Sequence, residues 1–282
     1  MILDSFGEYI FLDGAMGTML QKYGLKAGEK PDLMNITAPG AVESIHRAYI
    51  EAGSDIISTN TFGSNADLLK DTNYSVTEII TAAVGTAKKA CRGTSTKIAL
   101  DIGPTGQLLE PYGDLEPERA YEMFKEMAVA GEKASVDLAV IETMSDLAEL
   151  KAAVTAVSDN TKLPVFATMT FDKTGRTFMG CSVDDFVATA ESLGVTALGL
   201  NCSLEPTEMI ETVKRFAELT KLPLIVKPNA GLPDKNDGSY HTGAVEFAKQ
   251  MHEFKKIGVR IIGGCCGTTP DYIREMKKIF AR

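Results

Sequence analysis

The stretch "DLAVIETMSDLAELKAAVTAVS", residues 137–158, joins two patterns of different period. "DLAVIE" (137–142) is a near-continuous apolar run, as expected of a parallel strand covered on both faces. "DLAELKAAVTAVS" (146–158) then places its apolar residues at helical spacing, with Ser145 positioned to cap it. Between them sit Glu142 and Thr143, polar residues where a strand should end.

The same unit recurs on both sides. Apolar, β-rich runs lie at 9–13 ("YIFLD"), 54–59 ("SDIIST"), 97–101 ("KIALD"), 164–171 ("PVFATMTF"), 195–201 ("VTALGLN"), 223–229 ("PLIVKPN") and 259–264 ("VRIIGG"). Helical patterns lie between them, among them "AVESIHRAYIEAG", "ERAYEMFKEMAVAGEKA" and "AVEFAKQMHEFKKIG". Ser182 can cap the helix after it, and Pro117 and Pro270 suit a first helical position. Gly53, Gly194 and Gly258 fall where helices should stop. Eight units spaced by roughly 35 residues predict a (β/α)8 TIM barrel, a single domain over residues 1–282. The competing doubly wound sheet lacks support, because the first turn, "DGAMGT", is not a G-x-G-x-x-G fingerprint.

Composition narrows the function. With 44% hydrophobic and 24% charged residues the chain is ordinary globular material. A net charge of −9 without a basic cluster argues against nucleic acid. No apolar run approaches the roughly 20 residues of a membrane span, and no basic n-region opens the chain. Five scattered cysteines do not form a secreted disulfide framework, so a reducing, cytoplasmic setting is expected.

In a barrel, chemistry gathers at the C-terminal strand ends. Here those ends carry Asp13-Gly14, Thr59-Asn60-Thr61, Asp101, Glu142-Thr143, Asn201-Cys202, Lys227-Pro228-Asn229 and Gly264-Cys265-Cys266. Adjacent cysteines in "IIGGCCGTTP" (261–270) admit a vicinal disulfide, an incidental buried pair, or two ligands of one metal. On a regular strand their side chains would splay apart. Gly263, Gly264 and Gly267 let the chain turn between them. Cys202, Cys265 and Cys266 then offer three thiolates from two neighbouring loops, a soft donor set that suits zinc. Cys91 reads as a packing residue, and Cys181 sits before a helix beyond strand five. His46 and His252 lie within helical patterns at solvent or helix–barrel positions, and His241 lies in a polar loop.

A three-thiolate zinc suits a substrate that arrives as a fourth sulfur, deprotonated on binding and still nucleophilic. Thiol alkylation is the matching chemistry. Asp13 and Glu142 can clamp an α-ammonium, and the N–H groups of the turn after Asp13 can receive an α-carboxylate. The acceptor is then an amino-acid thiol.

The motifs "LDGAMGTMLQ" (12–21), "HRAYIEAGSDIISTNTFGSN" (46–65), "IGPTG" (102–106), "IETMSDLAELKAA" (141–153), "GLNCS" (199–203), "KPNAG" (227–231) and "GGCCGTTP" (263–270) span the chain in order. Together they resemble the homocysteine S-methyltransferase family, and most of all the homocysteine-binding module of cobalamin-dependent methionine synthase. The resemblance implies a TIM barrel with zinc on Cys202, Cys265 and Cys266, and homocysteine contacts at Asp13, Gly14, Ala15 and Glu142. It further implies Asn229 as a displaceable fourth ligand and methionine as product. The chain has no D-x-H-x-x-G cobalamin motif and stops one helix after the cysteines. It is therefore expected to be either an excised domain or an enzyme methylated in trans by a methylcobalamin (corrinoid) protein. S-methylmethionine or another sulfonium or ammonium donor, a different thiol acceptor, and a module inactive outside a larger methionine synthase are the alternatives.

Overall fold

A computed structural model describes residues 2–234 and 238–280. Eight parallel strands form one sheet: β1 (Ile10–Phe11), β2 (Ile56–Ser58), β3 (Lys97–Ile102), β4 (Leu138–Met144), β5 (Val165–Met169), β6 (Ala197–Asn201), β7 (Leu224–Lys227) and β8 (Ile261–Ile262). Each of the eight predicted runs overlaps one of them, with β3 and β4 continuing past the expected ends at 101 and 142. Strands pair in sequence from β2 to β8, and β1 closes onto β8 with Ile10 opposite Ile261. The outer helices are α1 (Pro39–Ala52), α2 (Val76–Ala90), α3 (Pro117–Lys133), α4 (Leu147–Asn160), α5 (Val183–Ser192), α6 (Pro206–Leu219), α7 (Ala244–Met251) and α8 (Pro270–Phe280). The fold is a (β/α)8 barrel.

The β1–β2 seam is closed by few main-chain bonds and two acids. Asp55 N–H donates to Phe11 O (2.7 Å), and Phe11 N–H donates to Asp55 Oδ2 (2.8 Å). Further up, Ser58 N–H donates to Asp13 Oδ2 (2.8 Å), where a neighbouring strand would supply a carbonyl. Asp13 therefore has a structural task at the seam as well as a place at the mouth.

Side chains alternate across each strand, and the barrel separates them into two cores. Ile10, Leu12, Ile56, Leu138, Phe166 and Ile225 belong to a lumen cluster joined by Leu3 from the N-terminal 3-10 turn, while the opposite faces pack under the helices. Further along each strand at the same parity, apolar gives way to polar: Ser58, Asp101, Glu142, Thr168 and Lys227 are all buried. The lumen thus has a greasy floor and a charged upper layer, and the layer faces the βα loops.

Local signals were mostly kept, with three departures. Asp146, not Ser145, is the N-cap of α4: its carboxylate accepts Ala148 N–H at 2.8 Å. The predicted helix over 244–258 is broken into α7 and a short helix, Glu253–Ile257. At the break His252 N–H is shared between the carbonyls of Ala248 and Lys249, which tightens the turn. Finally, only Gly267 of the glycines framing the cysteine pair has a positive φ (+81°). Gly263 and Gly264 are needed for space instead. A Cβ at Gly264 would lie 2.3 Å from Thr268 Oγ1, and one at Gly263 would lie 2.9 Å from Asp13 O.

Candidate metal centre

The cysteine doublet straddles the end of a strand and the start of a turn. Cys265 N–H still donates to Pro228 O (2.8 Å), extending the β7–β8 ladder. The chain then reverses in a turn closed by Thr268 N–H to Cys265 O (3.1 Å). Gly267 holds the third position with the positive φ that a type II turn requires. Reversal brings the two neighbouring side chains to one side. Thr268 secures it: its hydroxyl donates to Cys265 O (2.7 Å) and accepts Ala15 N–H (3.2 Å). Tyr49 of α1 places its hydroxyl within reach of both Ala15 O (2.8 Å) and Thr268 O (3.1 Å).

The third sulfur comes from a strained segment. Cys202 and Ser203 follow β6 with φ of +60° and +62°, and Thr143 at the end of β4 has φ +62°. Such angles cost non-glycine residues on the order of 1–3 kcal/mol each and persist only when held from outside. Asn201, fully buried, does the holding. Its Oδ1 accepts Thr143 N–H (2.8 Å) and Thr168 O–H (2.8 Å), and its Nδ2 donates to Thr143 Oγ1 (2.7 Å). The same Nδ2 lies 3.8 Å from Cys265 Sγ.

Among the described residues, Cys202, Cys265 and Cys266 form a group whose sulfurs lie within 4.8 Å of one another, with Cys202 and Cys266 at 4.0 Å. Tetrahedral zinc with bonds of about 2.3 Å needs sulfurs about 3.8 Å apart, so the donor set fits with small adjustment. Proton sharing has the same cause. S–H bonds from Cys265 and Cys266 push Cys202 down to about 3, while Cys202 pushes Cys265 well above the thiol range and Cys266 up to about 11. Asn229 donates toward Cys202, and its Oδ1 is buried without a partner. Asn229 is thus in reach of Cys202, and its unpartnered oxygen is a donor that a turn of the amide could offer to a fourth coordination position.

A cavity of about 540 Å³ opens above the sulfurs, lined also by Asp13, Gly14, Asp101, Glu142 and Lys227. Lys227 is ion-paired with Glu142 across the lumen, both nearly inaccessible. Burial opposes the lysine's charge, but Glu142 and Asp13 outweigh it and hold Lys227 above its ordinary value. Burial pushes Asp13 up to about 7 against the opposing pull of Lys227 and Ser58. Asp101 is also held well above its ordinary value, first by burial and then by the charge of Glu142.

The structure thus gathers Asp13, Gly14, Ala15, Glu142, Cys202, Cys265, Cys266 and Asn229 at one barrel mouth. Glu142 has a partner, Lys227, that sequence reasoning did not assign, and Ala15 N–H is already taken by Thr268. Cys181 lies outside, half-buried with its S–H toward Ser182 O (3.4 Å), and Cys91 caps α2 against the core. His241 sits by Asp234 on the surface, and His46 is wholly buried in α1. Asn201, Lys227, Tyr49 and Thr268 went unassigned. Only the strand-end placement of the first two hinted at them.

A TIM barrel with a half-buried sulfur triad at its mouth presents a donor set that could hold a metal ion. The chain matches the family model for homocysteine S-methyltransferase over residues 10–280, and it belongs to that methyltransferase family. Methionine synthase of Mycobacterium leprae (strain TN) is 32% identical over 303 aligned positions, covering 100% of this chain and 25% of that protein. Methionine synthase of Mycobacterium tuberculosis (strain ATCC 25618 / H37Rv) is 32% identical over 299 positions, covering 98% and 25%. The chain therefore spans a quarter of the length of these relatives. The homocysteine methyltransferase MmuM from Escherichia coli, metallated form, shares the fold with a TM-score of 0.84 at 23% identity, covering 98% of each chain. Its oxidized form aligns equally well.

Proposed function

We propose that this chain is a zinc-dependent homocysteine S-methyltransferase that forms methionine, with Cys202, Cys265 and Cys266 holding the ion and Asn229 a displaceable fourth ligand. The observation that carries the reading is the sulfur triad within 4.8 Å, set in the floor of a cavity that also holds Asp13 and Glu142. When bound there, zinc deprotonates an incoming thiol and keeps it nucleophilic. The chain's own residues orient the rest of the substrate. Acids of the upper layer receive the α-ammonium, and the Gly14–Ala15 turn receives the α-carboxylate, which takes over the Ala15 N–H from Thr268. The Asn201 bonds keep β4 and β6 in the conformation that aims Cys202 at the doublet.

We assign the methyl donor to a corrinoid protein or domain carrying methylcobalamin. Kinship with methionine synthases over the full chain supports this, and so does the rim. Among the described residues every exposed large hydrophobic side chain belongs to a segment at the C-terminal end of the barrel: Tyr23, Phe62, Leu108, Tyr112, Phe178, Leu232 and Val245. Apolar exposure gathered at one end is compatible with a contact face for another macromolecule there. The cavity also exceeds what an eight-heavy-atom amino acid fills, leaving room for a donor.

X-ray absorption at the zinc edge tests the metal and acceptor together. Three sulfurs plus one lighter ligand should become four sulfurs on adding homocysteine; an unchanged spectrum refutes the thiol-binding role. Methionine formation from methylcobalamin, but not from S-methylmethionine, supports the donor assignment, and the reverse overturns it.

A further inference from the structure

A site that keeps an incoming thiolate nucleophilic keeps its own cysteine ligands nucleophilic by the same route. A centre meant for alkylation therefore has to set the substrate's sulfur apart from its own. Hydrogen bonding around the triad supplies a means. Cys265 Sγ accepts from Asn201 Nδ2 (3.8 Å), and Cys202 accepts from Ser203 N–H and the Asn229 amide. Those donors belong to the ends of β6 and β7. The donor for Cys266 comes from elsewhere: it is the hydroxyl of Tyr240, carried on the loop between β7 and α7.

Tyr240 is half-buried and held both by its ring and by the chain on either side. The ring lies against Gly267, the residue after Cys266, where an added Cβ would collide with Tyr240 Cγ, Cδ1 and Cδ2. Glycine at 267 thus meets two needs, the positive φ of the turn and the close approach of this ring. Before Tyr240, Asp234 N–H donates to Ser239 O (2.8 Å). After it, Thr242 N–H donates to Ala230 O (3.2 Å), and Thr242 O accepts the Tyr272 hydroxyl (2.7 Å). Ala230 N–H donates in turn to Cys266 O (3.0 Å), so the tyrosine loop is tied to the cysteine turn it covers.

We infer that Tyr240 is a positioning residue of the sulfur centre, its hydroxyl donating to the Cys266 sulfur and lowering that ligand's nucleophilicity, so that the methyl group is left to the substrate's sulfur. The inference rests on the three-cysteine zinc reading and deepens it. A hydrogen bond to a thiolate ties up a lone pair and draws charge from the sulfur without removing it as a ligand.

The test treats zinc-loaded wild type, Tyr240→Phe and Tyr240→Ala with iodoacetamide and maps the modified cysteines by peptide mass spectrometry, zinc stoichiometry having been measured first. Cys181, half-buried outside the centre, is the internal standard for an intact fold. Tyr240→Phe keeps the ring on Gly267 and loses only the hydroxyl. Its Cys266 should be alkylated about 3- to 10-fold faster than in wild type, at an unchanged Cys181 rate. In the cobalt(II)-substituted protein the same variant should move the thiolate-to-metal charge-transfer band to longer wavelength, because a sulfur freed of its hydrogen bond gives up electron density more readily. A wild-type rate at Cys266 in Tyr240→Phe, with acceleration only in Tyr240→Ala, makes the tyrosine a steric cover and overturns the assignment. An unshifted band overturns it as well. Either result, with stoichiometric zinc in wild type, leaves the proposed function standing. Wild type that binds no zinc loses the metal centre and this inference together.

Discussion

Replacing Lys227 with methionine removes the cation paired to Glu142 and leaves three carboxylates in the buried layer. Breaking one side of a buried ion pair typically costs about 3–5 kcal/mol, because the remaining charge loses its partner but stays out of water. Lys227 and Glu142 are both nearly inaccessible, so solvent screening offers little relief. Lys227→Met should therefore lose about 3–5 kcal/mol at pH 7 in urea unfolding of the ligand-free protein. The sign with pH follows from proton binding. Without the lysine the folded acids hold protons more tightly than the unfolded chain does, so acid favours the folded mutant. The deficit should shrink from pH 7 to pH 5. A double variant, Lys227→Met with Glu142→Gln, removes both charges and should recover more than half of the loss. If the double variant is as unstable as Lys227→Met alone, the ion-pair account is wrong and lost packing explains the effect.

Cys266→Ser should lose stoichiometric zinc on dialysis, measured by elemental analysis; full retention would remove Cys266 from the ligand set. Burial holds His46 down to about 4, from an ordinary 6.5, although Glu43 pulls the other way. The unfolded chain then binds the extra proton between these values, so His46 costs about 3 kcal/mol of stability as pH falls from 7 to 4. His46→Leu should lack that component when its urea midpoints are compared with wild type over the same range, and parallel curves would refute it. Asn201→Ala should weaken zinc affinity by about 10–100-fold in competition with a chelator, because the side chain orienting Thr143 and Cys265 is gone. Unchanged affinity would show that the backbone alone presets the sulfurs.

All eight strand positions were readable because each depends on a local pattern: a short apolar run covered on both faces, followed by helical spacing. Apart from the broken helix over 244–258, helix ends were readable to within two residues, and Ser145 against Asp146 shows the limit. Either side chain can cap, and the choice turns on where the loop leaves β4. The sulfur triad was readable in part. A doublet inside glycines announces itself, but Gly263 and Gly264 serve close approach to Asp13 and Thr268 rather than unusual φ, a distinction only neighbouring chain can make.

What the sequence determined by itself was the barrel, the strand ends that carry polar residues, and the cysteines worth bringing together. These follow from periodicity and from the chemistry of single side chains. Tertiary structure alone decided who pairs with whom. Glu142 meets Lys227 across 85 residues, Asn201 meets Thr143 across 58, and Ala15 meets Thr268 across 253. No local signal marks such pairs, because they arise only when the sheet curls until distant strands share one lumen. The unpartnered oxygens of Asp13 and Asp101 have the same origin: an acid is known to be unsatisfied only after every neighbour has been placed.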